Sequence, residues 1–301
     1  MFYKLKDRIR RIQFAERCKA VLHTAPVAPD ASSNLALLSQ LQHKDVLMFL
    51  LAVKSFVKQV HPRAVFVLND GSLSHEDRAL LDAHIPGVTM LELPMFRSAA
   101  CPTGGTWERL LAISMLVNDY YVIQLDSDTL SVGAIDEVRD CVQRQRAFAL
   151  GTWDHQRCES MHERWETATG LKPRRDSHVQ LLAEANFDKL KRFKSLRYVR
   201  GCSGFSGFPR RSFTREFVEN ISTQMWAAIG DKWPEWGSEQ VMSNIVVANI
   251  PGAVVLPHPK YADCRKMKPG ETEFIHFIGS CRFNDGTYAK LGAKVIQAEL
   301  I

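Results

Sequence analysis

Two aspartates, one residue apart, follow an apolar stretch in YYVIQLDSDTL, residues 120–130. In an extended segment, residues i and i+2 point to the same side, so Asp126 and Asp128 can aim their carboxylates at one point. Two carboxylates that close together repel each other, and a bound Mg²⁺ or Mn²⁺ removes the conflict. The pair therefore predicts a divalent metal site. For the short motif alone, capping of the turn before a helix that starts near Ala134 is the alternative.

The elements around this pair predict where it lies. The run YYVIQL is apolar and β-branched, as is typical of a central strand. Other strands are predicted at 18–27, 63–72 and 87–93, and helices at about 44–60, 74–84 and 106–118. This alternation predicts an α/β fold, a mostly parallel central sheet with helices on both faces, in which ligands bind beyond the carboxyl ends of the strands. Asp70, in the turn NDGS, is expected at that edge too, with plain turn chemistry as its alternative.

Composition limits the function classes. The chain has 301 residues, of which 46% are hydrophobic and 24% charged, so it can bury a large core and is not disordered. The most apolar run, at 46–53, is too short to cross a bilayer and predicts a buried helix. The seven cysteines show no CxxC pair, and no signal peptide is recognisable, which favours thiols in a reducing, cytoplasmic compartment.

The net charge of +6 is concentrated in two runs. Residues 1–17 predict a basic amphipathic helix, which either packs on its own domain or lies on an anionic membrane surface as a peripheral contact. The run KLKRFKSLRYVR, 189–200, is either a solvated face or a binding surface for an acidic acceptor or a lipid head group. Neither run accompanies a nucleic-acid motif, so nucleic acid is not an expected partner.

The acid pair also carries a resemblance to a known enzyme family. YYVIQLDSDTL followed by SVGAIDEV is similar to the metal-binding segment of GT-A glycosyltransferases, most of all the retaining enzymes of glycosyltransferase family 8. Four further pieces between 105 and 283 follow in the family's order: TWERLLA, GCSGFSGF, SEQVMSN and HFIGSCR. The resemblance depends on their order and spacing, since each piece alone is a weak signal. It implies a single Rossmann-like GT-A domain over 18–301, with 150–200 as an insertion on the acceptor side.

Several site residues follow from this resemblance. It adds His276 to Asp126 and Asp128 as the third metal ligand, and two oxygens with one imidazole nitrogen suit Mn²⁺. Through the resemblance or through their place at a strand end, the residues expected to contact the nucleotide sugar are Thr24, Asp70, Arg109, Asp126, Ser127, Gly204, Gly279 and Arg282.

The sequence departs from the family pattern in two places. The segment HTAPVAPD offers His23, Thr24 and Asp30 where the family's first strand usually ends in an Asp and an aromatic that hold uracil. Phe283 and Asn284 stand where the family has Pro-Trp. Both departures concern the nucleotide base and the donor sugar.

The implied reaction is metal-dependent transfer of a sugar from a nucleotide sugar, a UDP-sugar by resemblance, to a hydroxyl of a glycan or glycolipid, as in polysaccharide biosynthesis. With retention, Gln240 lies close to the developing oxocarbenium and Glu239 orients the donor or acceptor. An inverting enzyme would use Glu239 or Asp154 as general base instead. Two other classes are open: a non-catalytic nucleotide-sugar-binding protein, and, less favoured because 23–34 lacks glycine and basic residues, a sugar-nucleotide pyrophosphorylase.

Overall fold

The computed structural model describes the backbone of residues 2–300 and the side chains of 8–279, 281–298 and 300. Residues 2–300 contain ten α-helices: α1 (Phe2–Cys18), α2 (Val46–Val57), α3 (His75–His84), α4 (Trp107–Leu116), α5 (Asp136–Gln143), α6 (Met161–Gly170), α7 (Val179–Glu184), α8 (Arg215–Ile229), α9 (Ser238–Ala248) and α10 (Thr287–Val295). The same residues contain twelve strands: β1 (Leu35–Leu41), β2 (Ala64–Asn69), β3 (Thr89–Glu92), β4 (Tyr121–Leu125), β5 (Thr129–Ser131), β6 (Phe148–Leu150), β7 (Glu159–Ser160), β8 (Arg197–Tyr198), β9 (Cys202–Phe208), β10 (Val254–Val255), β11 (Tyr261–Asp263) and β12 (Phe274–His276).

The chain divides into two compact units. Unit one comprises the residues up to Leu91, Leu125–Asp140 and the residues from Pro257 on, and unit two comprises Glu92–Gln124 and Cys141–Leu256. Within unit one the strands lie in the order β1-β2-β3, and within unit two they lie in the order β10-β6-β9-β4. Strand β1 is parallel to β2 and β10 is parallel to β6, whereas β6 is antiparallel to β9. The predicted α/β fold with a mostly parallel central sheet is confirmed.

A second, smaller sheet belongs to unit one. Strand β12 pairs in parallel with β11 and antiparallel with β5, so the sheet order is β11-β12-β5. Behind β5 packs the apolar helix α2, whose residues Val46–Val57 include the predicted buried run. The Ser55 hydroxyl of α2 accepts a hydrogen bond from the Ser131 amide at the end of β5, 3.3 Å away. Helix α2 therefore supports the strand that follows the two aspartates.

The prediction of a first strand at 18–27 is wrong. Cys18 ends α1, Lys19–His23 form a 3-10 helix, and β1 begins only at Leu35. The backbone oxygens here pair with side chains instead of a neighbouring strand: the buried ammonium of Lys54 donates to the Thr24 carbonyl at 3.3 Å and to its hydroxyl at 2.9 Å. Thr24 therefore does not lie at the end of a strand, which was the ground for assigning it to the nucleotide. The other predicted strands and helices named above form as β2–β4 and α2–α4.

Helix α1 packs on its own unit. Phe14 lies 4.5 Å from the ring of Tyr288 on α10, and Arg11 forms a 2.9 Å ion pair with the buried Asp45. Ile9 and Ile12 remain 46% and 54% exposed. The side chains of residues 1–7, part of the predicted basic face, lie outside the described residues. Contact of this helix with a membrane stays a prediction, and among residues 2–300 the structure contains no helix with the length and apolarity needed to span a bilayer.

The segment 150–200 forms its own substructure within unit two. Strands β7 and β8 pair antiparallel, and helices α6 and α7 lie between them in sequence. Ser160 and Glu163 form a capping box at the start of α6, so Glu163 is used structurally. The role of this insertion at an acceptor site stays a prediction.

The prediction that the cysteines are all thiols is wrong for one pair. Cys264 follows β11 and Cys281 follows β12, and the two form a disulfide. The free cysteines among the described residues are Cys18, Cys101, Cys141, Cys158 and Cys202.

Candidate functional site

The two aspartates lie in a turn, not in an extended segment. Strand β4 ends at Leu125, and the carbonyl of Asp126 accepts hydrogen bonds from the amide and the hydroxyl of Thr129, at 3.2 Å and 2.8 Å. The expectation that the carboxylates converge because alternate residues of a strand share a face is therefore wrong. They converge because the turn between β4 and β5 folds Asp128 back toward Asp126.

His276 reaches the aspartates through the register of the small sheet. Strand β12 pairs with β5 so that His276 lies opposite Thr129, and the Phe277 amide donates to the Asp128 carbonyl at 2.8 Å. The imidazole Nε2 lies 3.1 Å from Asp128 Oδ1 and 3.6 Å from Asp126 Oδ2. A residue far away along the chain thus meets both carboxylates.

These three residues fit a divalent metal. One ligand atom from each of Asp126, Asp128 and His276 lies within 4.8 Å of the other two. Asp128 and His276 are buried and Asp126 is half-buried, so the set is held by packing and is open on the Asp126 side. Two carboxylate oxygens and one imidazole nitrogen are ligands that Mn²⁺ accepts, and Mg²⁺ is the harder alternative. We call these residues the metal triad.

Arg282 lies against the triad. Its guanidinium is ion-paired with the second carboxylate oxygen of Asp128, and its Nε donates to the Phe277 carbonyl at 3.1 Å. Burial alone would raise the pKa of Asp128, but His276 and Arg282 outweigh it and lower that pKa. Burial also opposes the charge on Arg282, yet Asp128 and Asp45 raise the pKa of the guanidinium. A permanent cation therefore stands beside the metal triad.

Asp45 is a residue that sequence analysis missed. It is 3% exposed, precedes α2, and holds Arg11 of α1 while its charge acts on Arg282. In the sequence it appeared only as a charge flanking an apolar run, and that pattern gives no sign of burial.

The remaining predicted ligand residues of unit one occupy loops. Ser127 is half-buried in the Asp126–Thr129 turn. Gly279 has φ +42° and is exposed at the start of the 3-10 helix Gly279–Cys281, a backbone conformation that favours glycine. Asp70 accepts hydrogen bonds from the Ser72 amide and hydroxyl at 2.9 Å and 2.6 Å, which is the turn chemistry named as its alternative.

A second acid cluster, the Glu239 cluster, lies in unit two. Helix α9 begins after Gly237, which has φ +104°, and Glu239 in its first turn is only 2% exposed. Its Oε2 accepts hydrogen bonds from Thr106 at 2.9 Å and Ser203 at 3.1 Å, and Arg109 Nη2 lies 3.5 Å away. Arg109 is itself 4% exposed, so a contact between Arg109 and a diphosphate would require this ion pair to open.

Gln240 differs from its neighbour because it is half-exposed. Its side-chain oxygen accepts from the Ser203 amide at 3.3 Å, and its Nε2 donates to Gln180 at 3.4 Å. Gln180 in turn donates to Tyr198 at 3.2 Å, and Tyr198 donates to the buried Glu184 at 3.1 Å. The orientation of the Gln240 amide is therefore fixed by a chain of hydrogen bonds from α7 and β8, which sequence analysis did not foresee.

Thr106 is another residue that sequence analysis missed. It has φ +74° in front of α4, a left-handed conformation that is costly for a β-branched residue, and its hydroxyl holds Glu239. The signal in the sequence was the pair Gly104-Gly105 before it, since both glycines also have positive φ. A strained residue that contacts a buried carboxylate is typical of a site that the fold keeps in one geometry.

Other candidates of unit two have simpler surroundings. Gly204 is buried within β9, and Asp154, the alternative general base, is exposed in the loop after β6. Two tryptophans close to Glu239 in the sequence differ in burial: Trp233 is a core residue that lies edge-on to Trp107 at 5.5 Å, whereas Trp236 is 74% exposed.

Comparisons with known proteins find similarity in structure alone: no family model and no curated protein matches the sequence. The bifunctional glycosyltransferase WbbM, in its apo form, superposes with a TM-score of 0.50 at 13% identity, covering 84% of this chain and 47% of WbbM. The chain thus spans about half the length of that protein. This likeness shows the GT-A transferase fold, as predicted, and does not confirm membership of family 8.

Two further solved structures were matched over most of their own length. An active-site mutant of LgtC has a TM-score of 0.48 at 11% identity, covering 86% of this chain and 95% of LgtC. Core-mannan synthase A from Aspergillus fumigatus, in a form with Mn and GDP, has a TM-score of 0.46 at 12% identity, covering 92% of this chain and 89% of that one.

Proposed function

We propose that the protein is a metal-dependent glycosyltransferase that transfers a sugar from a nucleotide sugar, a UDP-sugar, to a hydroxyl of a glycan or glycolipid acceptor. The observation that carries the proposal is the convergence of Asp126, Asp128 and His276 on one point. Arg282 balances one of the two carboxylate charges, and a divalent cation would balance the remaining charge by taking one ligand atom from each of the three residues. The GT-A fold supports the same function, since ligands of open α/β sheets bind beyond the strand ends, where the turn after β4 lies.

The metal triad would hold Mn²⁺ or Mg²⁺, and the bound ion would supply Lewis-acid stabilisation for the negative charge that develops on the departing nucleotide diphosphate. The chain's own contribution is Arg282. Its side chain is 23% exposed, so the guanidinium can donate to a diphosphate oxygen while it remains near Asp128. The backbone at Gly279 is exposed and lacks a side chain, which permits close approach of a phosphate group.

We propose retention of the anomeric configuration, with the half-exposed Gln240 beside the developing oxocarbenium. Glu239 is then a positioning residue, because it is buried and holds Arg109, Thr106 and Ser203. NMR analysis of the product anomer tests this assignment. An inverted product would remove the role of Gln240 and favour Glu239 or the exposed Asp154 as general base.

The decisive experiment is a panel of UDP-, GDP-, ADP- and CMP-sugars, with and without Mn²⁺, in which release of the nucleotide is measured. We expect Mn²⁺-dependent hydrolysis of the donor, or transfer of its sugar, with one class of nucleotide sugar. We propose that this class is the UDP-sugars. Tight nucleotide binding without turnover would instead support a non-catalytic binding protein of the same fold. Neither binding nor turnover with any donor would contradict the proposal.

The proposed location is the cytoplasm, with peripheral membrane contact through α1; the five free cysteines among the described residues support it, and the Cys264–Cys281 disulfide counts against it. The exposed Ile9 and Ile12 support such a contact, because they give α1 an apolar strip outside the packed Phe14. Sedimentation with anionic vesicles before and after Ile12→Glu tests it. An Ile12→Glu variant that sediments like the parent protein would count against the contact.

A further inference from the structure

A large cavity lies in unit two at the end of helix α9 that is remote from Glu239. Its volume is about 710 Å³, within the range of small-molecule sites. Val246 and Ala248 of α9 and the following Asn249 line it, whereas Glu239 and Gln240 occupy the first turn of the same helix. Because a helix rises about 1.5 Å per residue, roughly 10 Å or more separate the cavity from the Glu239 cluster. We propose that this cavity binds a phosphate-bearing amphiphile, an apolar chain that ends in a phosphate group.

The charge of the cavity supports an anionic ligand. Arg192 and Arg197 line it, and none of its described lining residues is Asp or Glu. The surrounding segment, 189–215, contains no acidic residue, but three of its basic residues pair with acids outside it: Lys189 with Asp188, Arg200 with Glu184 and Arg215 with Glu219. The basic residues that remain to extend the imbalance are Lys191, Arg192, Lys194, Arg197, Arg210 and Arg211. A phosphate monoester carries nearly two negative charges at neutral pH and a carboxylate carries one, so two guanidinium groups match the charge of a phosphate better.

Polar groups next to the arginines suit the same head group. Ser212 is among the lining residues, and its buried hydroxyl makes no hydrogen bond to any described residue. Thr214 also lines the cavity and caps α8, a helix of 15 residues whose positive end therefore faces this region. The Arg197 backbone is fixed, because its amide and carbonyl are bonded to the side chain of Asn249 at 3.1 Å and 2.9 Å, and its guanidinium donates to the Cys158 carbonyl. The lining thus combines two exposed guanidinium groups with the N-terminus of α8 and a buried hydroxyl that lacks a partner among the described residues.

A part of the cavity lining is apolar, and we call it the apolar wall. It is formed by Phe213, Phe217, Val246, Ile250 and Pro251. Phe213 and Phe217 are half-buried, so part of each ring faces the open space. A free inorganic phosphate would leave this wall exposed to water, whereas an alkyl chain would cover it. The basic residues and the apolar wall together favour an amphiphile.

The test compares octyl phosphate below its micellar concentration with octyl glucoside and inorganic phosphate, by calorimetry on the full chain. We expect one site for octyl phosphate and at least roughly tenfold weaker binding of the other two, since each lacks one half of the ligand. Equal binding of octyl phosphate and octyl glucoside would overturn the role of the arginines, and equal binding of inorganic phosphate would overturn the role of the apolar wall.

A matched pair of variants locates the site. Arg192→Glu should weaken the binding of octyl phosphate at least roughly tenfold. Lys194→Glu makes the same change of charge in the same exposed segment, but Lys194 is outside the cavity lining. This control should keep the dissociation constant within about twofold of the parent value. Equal losses in both variants would show a diffuse basic surface and refute the site. Because Arg192 is exposed, its replacement leaves the core unchanged, and near-UV circular dichroism confirms the fold.

Vesicles distinguish the two sources of such a ligand. Sedimentation with phosphatidic acid vesicles, but not with phosphatidylcholine vesicles, and its loss in Arg192→Glu would indicate a membrane lipid. Binding of octyl phosphate without sedimentation would indicate a soluble phosphorylated amphiphile. These readouts do not involve nucleotide sugars, so their failure leaves the proposed transferase activity untouched.

Discussion

The metal triad of unit one and the Glu239 cluster of unit two both bury carboxylates, but they stabilise them differently. Asp126 and Asp128 point at one another and at His276, and the Asp126 side chain remains 25% exposed. Glu239 is surrounded instead by donors that the fold supplies, namely Thr106, Ser203 and Arg109. Asp128 also has its partners, His276 and Arg282, so the difference lies in the grouping: three ligand atoms lie within 4.8 Å of one another at the metal triad, and the Asp126 side remains open. The comparison therefore supports, as a proposal, metal chemistry for the triad and a positioning role for Glu239.

The largest expected effect comes from Asp128→Asn. The amide keeps the size of the side chain but removes the charge and one ligand oxygen, so we expect Mn²⁺ binding to disappear and activity to fall about 10³-fold, which corresponds to the loss of several kcal/mol of transition-state stabilisation. Titration of Mn²⁺ by electron paramagnetic resonance measures the first effect, and nucleotide release measures the second.

Asp136→Asn is the matched control for this variant. Asp136 begins α5, has an exposed side chain paired with Arg139, and lies in the same unit. It should leave both metal binding and activity near the parent values. Full activity of Asp128→Asn, or of Asp126→Ala combined with Asp128→Ala, would show that the triad is not a metal site.

The second expected effect concerns the free energy of unfolding and tests the Glu239 cluster. Arg109→Met leaves the Glu239 charge buried without its cation, so the free energy of unfolding should fall by about 3–5 kcal/mol. The double variant Arg109→Met with Glu239→Leu removes both charges and should recover most of this loss. Urea unfolding measures all three proteins. A double variant as unstable as Arg109→Met would show that the pair's charges do not set the stability of this region.

The fold could be predicted where local patterns are strong. The apolar run of α2, the alternation from β2 to β4 and the turn after β2 all follow from periodicity and turn residues. The first strand could not be placed, because both 18–27 and 35–41 are short apolar runs, and the choice between them is made by Lys54, a lysine of α2 that satisfies the oxygens around Thr24. Contacts between distant residues of this kind leave no local pattern.

The candidate site shows the same limit. The resemblance brought His276 to the two aspartates, but spacing alone could not, since the register of β12 on β5 decides their approach. The pairing of Asp45 with Arg11, and of Thr106 with Glu239, stayed hidden because each joins a loop residue to a partner on another element. The turn at Asp126–Thr129 was also mistaken for extended chain, although the carboxylates meet in either geometry.

A third effect sharpens the account of the Glu239 cluster. Thr106→Val removes the hydroxyl that donates to Glu239 Oε2 at 2.9 Å and keeps the branched side chain at φ +74°, so it should lower the free energy of unfolding by about 1–3 kcal/mol. Thr106→Ser keeps the hydroxyl and removes the branch, so it should stay within about 0.5 kcal/mol of the parent. Equal stability of the two variants would show that the hydroxyl does not hold Glu239.

The smallest expected effect concerns Lys54. It tests whether burying a charged side chain without an opposite charge beside it is costly, as the comparison of the metal triad with the Glu239 cluster assumes. Lys54 is buried and donates to the carbonyls of Thr24 and Ala25 and to the Thr24 hydroxyl, and burial lowers the pKa of its ammonium from 10.5 to about 8. Below pH 8 the lysine is protonated in both states, and the folded state bears the whole cost of the buried charge. Between pH 8 and 10.5 the folded protein releases this proton while the unfolded chain keeps it, so the contribution of Lys54 to the free energy of unfolding rises with pH.

Lys54→Met removes this contribution. The free energy of unfolding of the parent minus that of the variant, measured with urea, should therefore increase from pH 8 to 10.5. A difference that is constant over this range would mean that the carbonyl and hydroxyl oxygens solvate the ammonium as well as water does, and burial alone would then not explain why Glu239 needs Arg109.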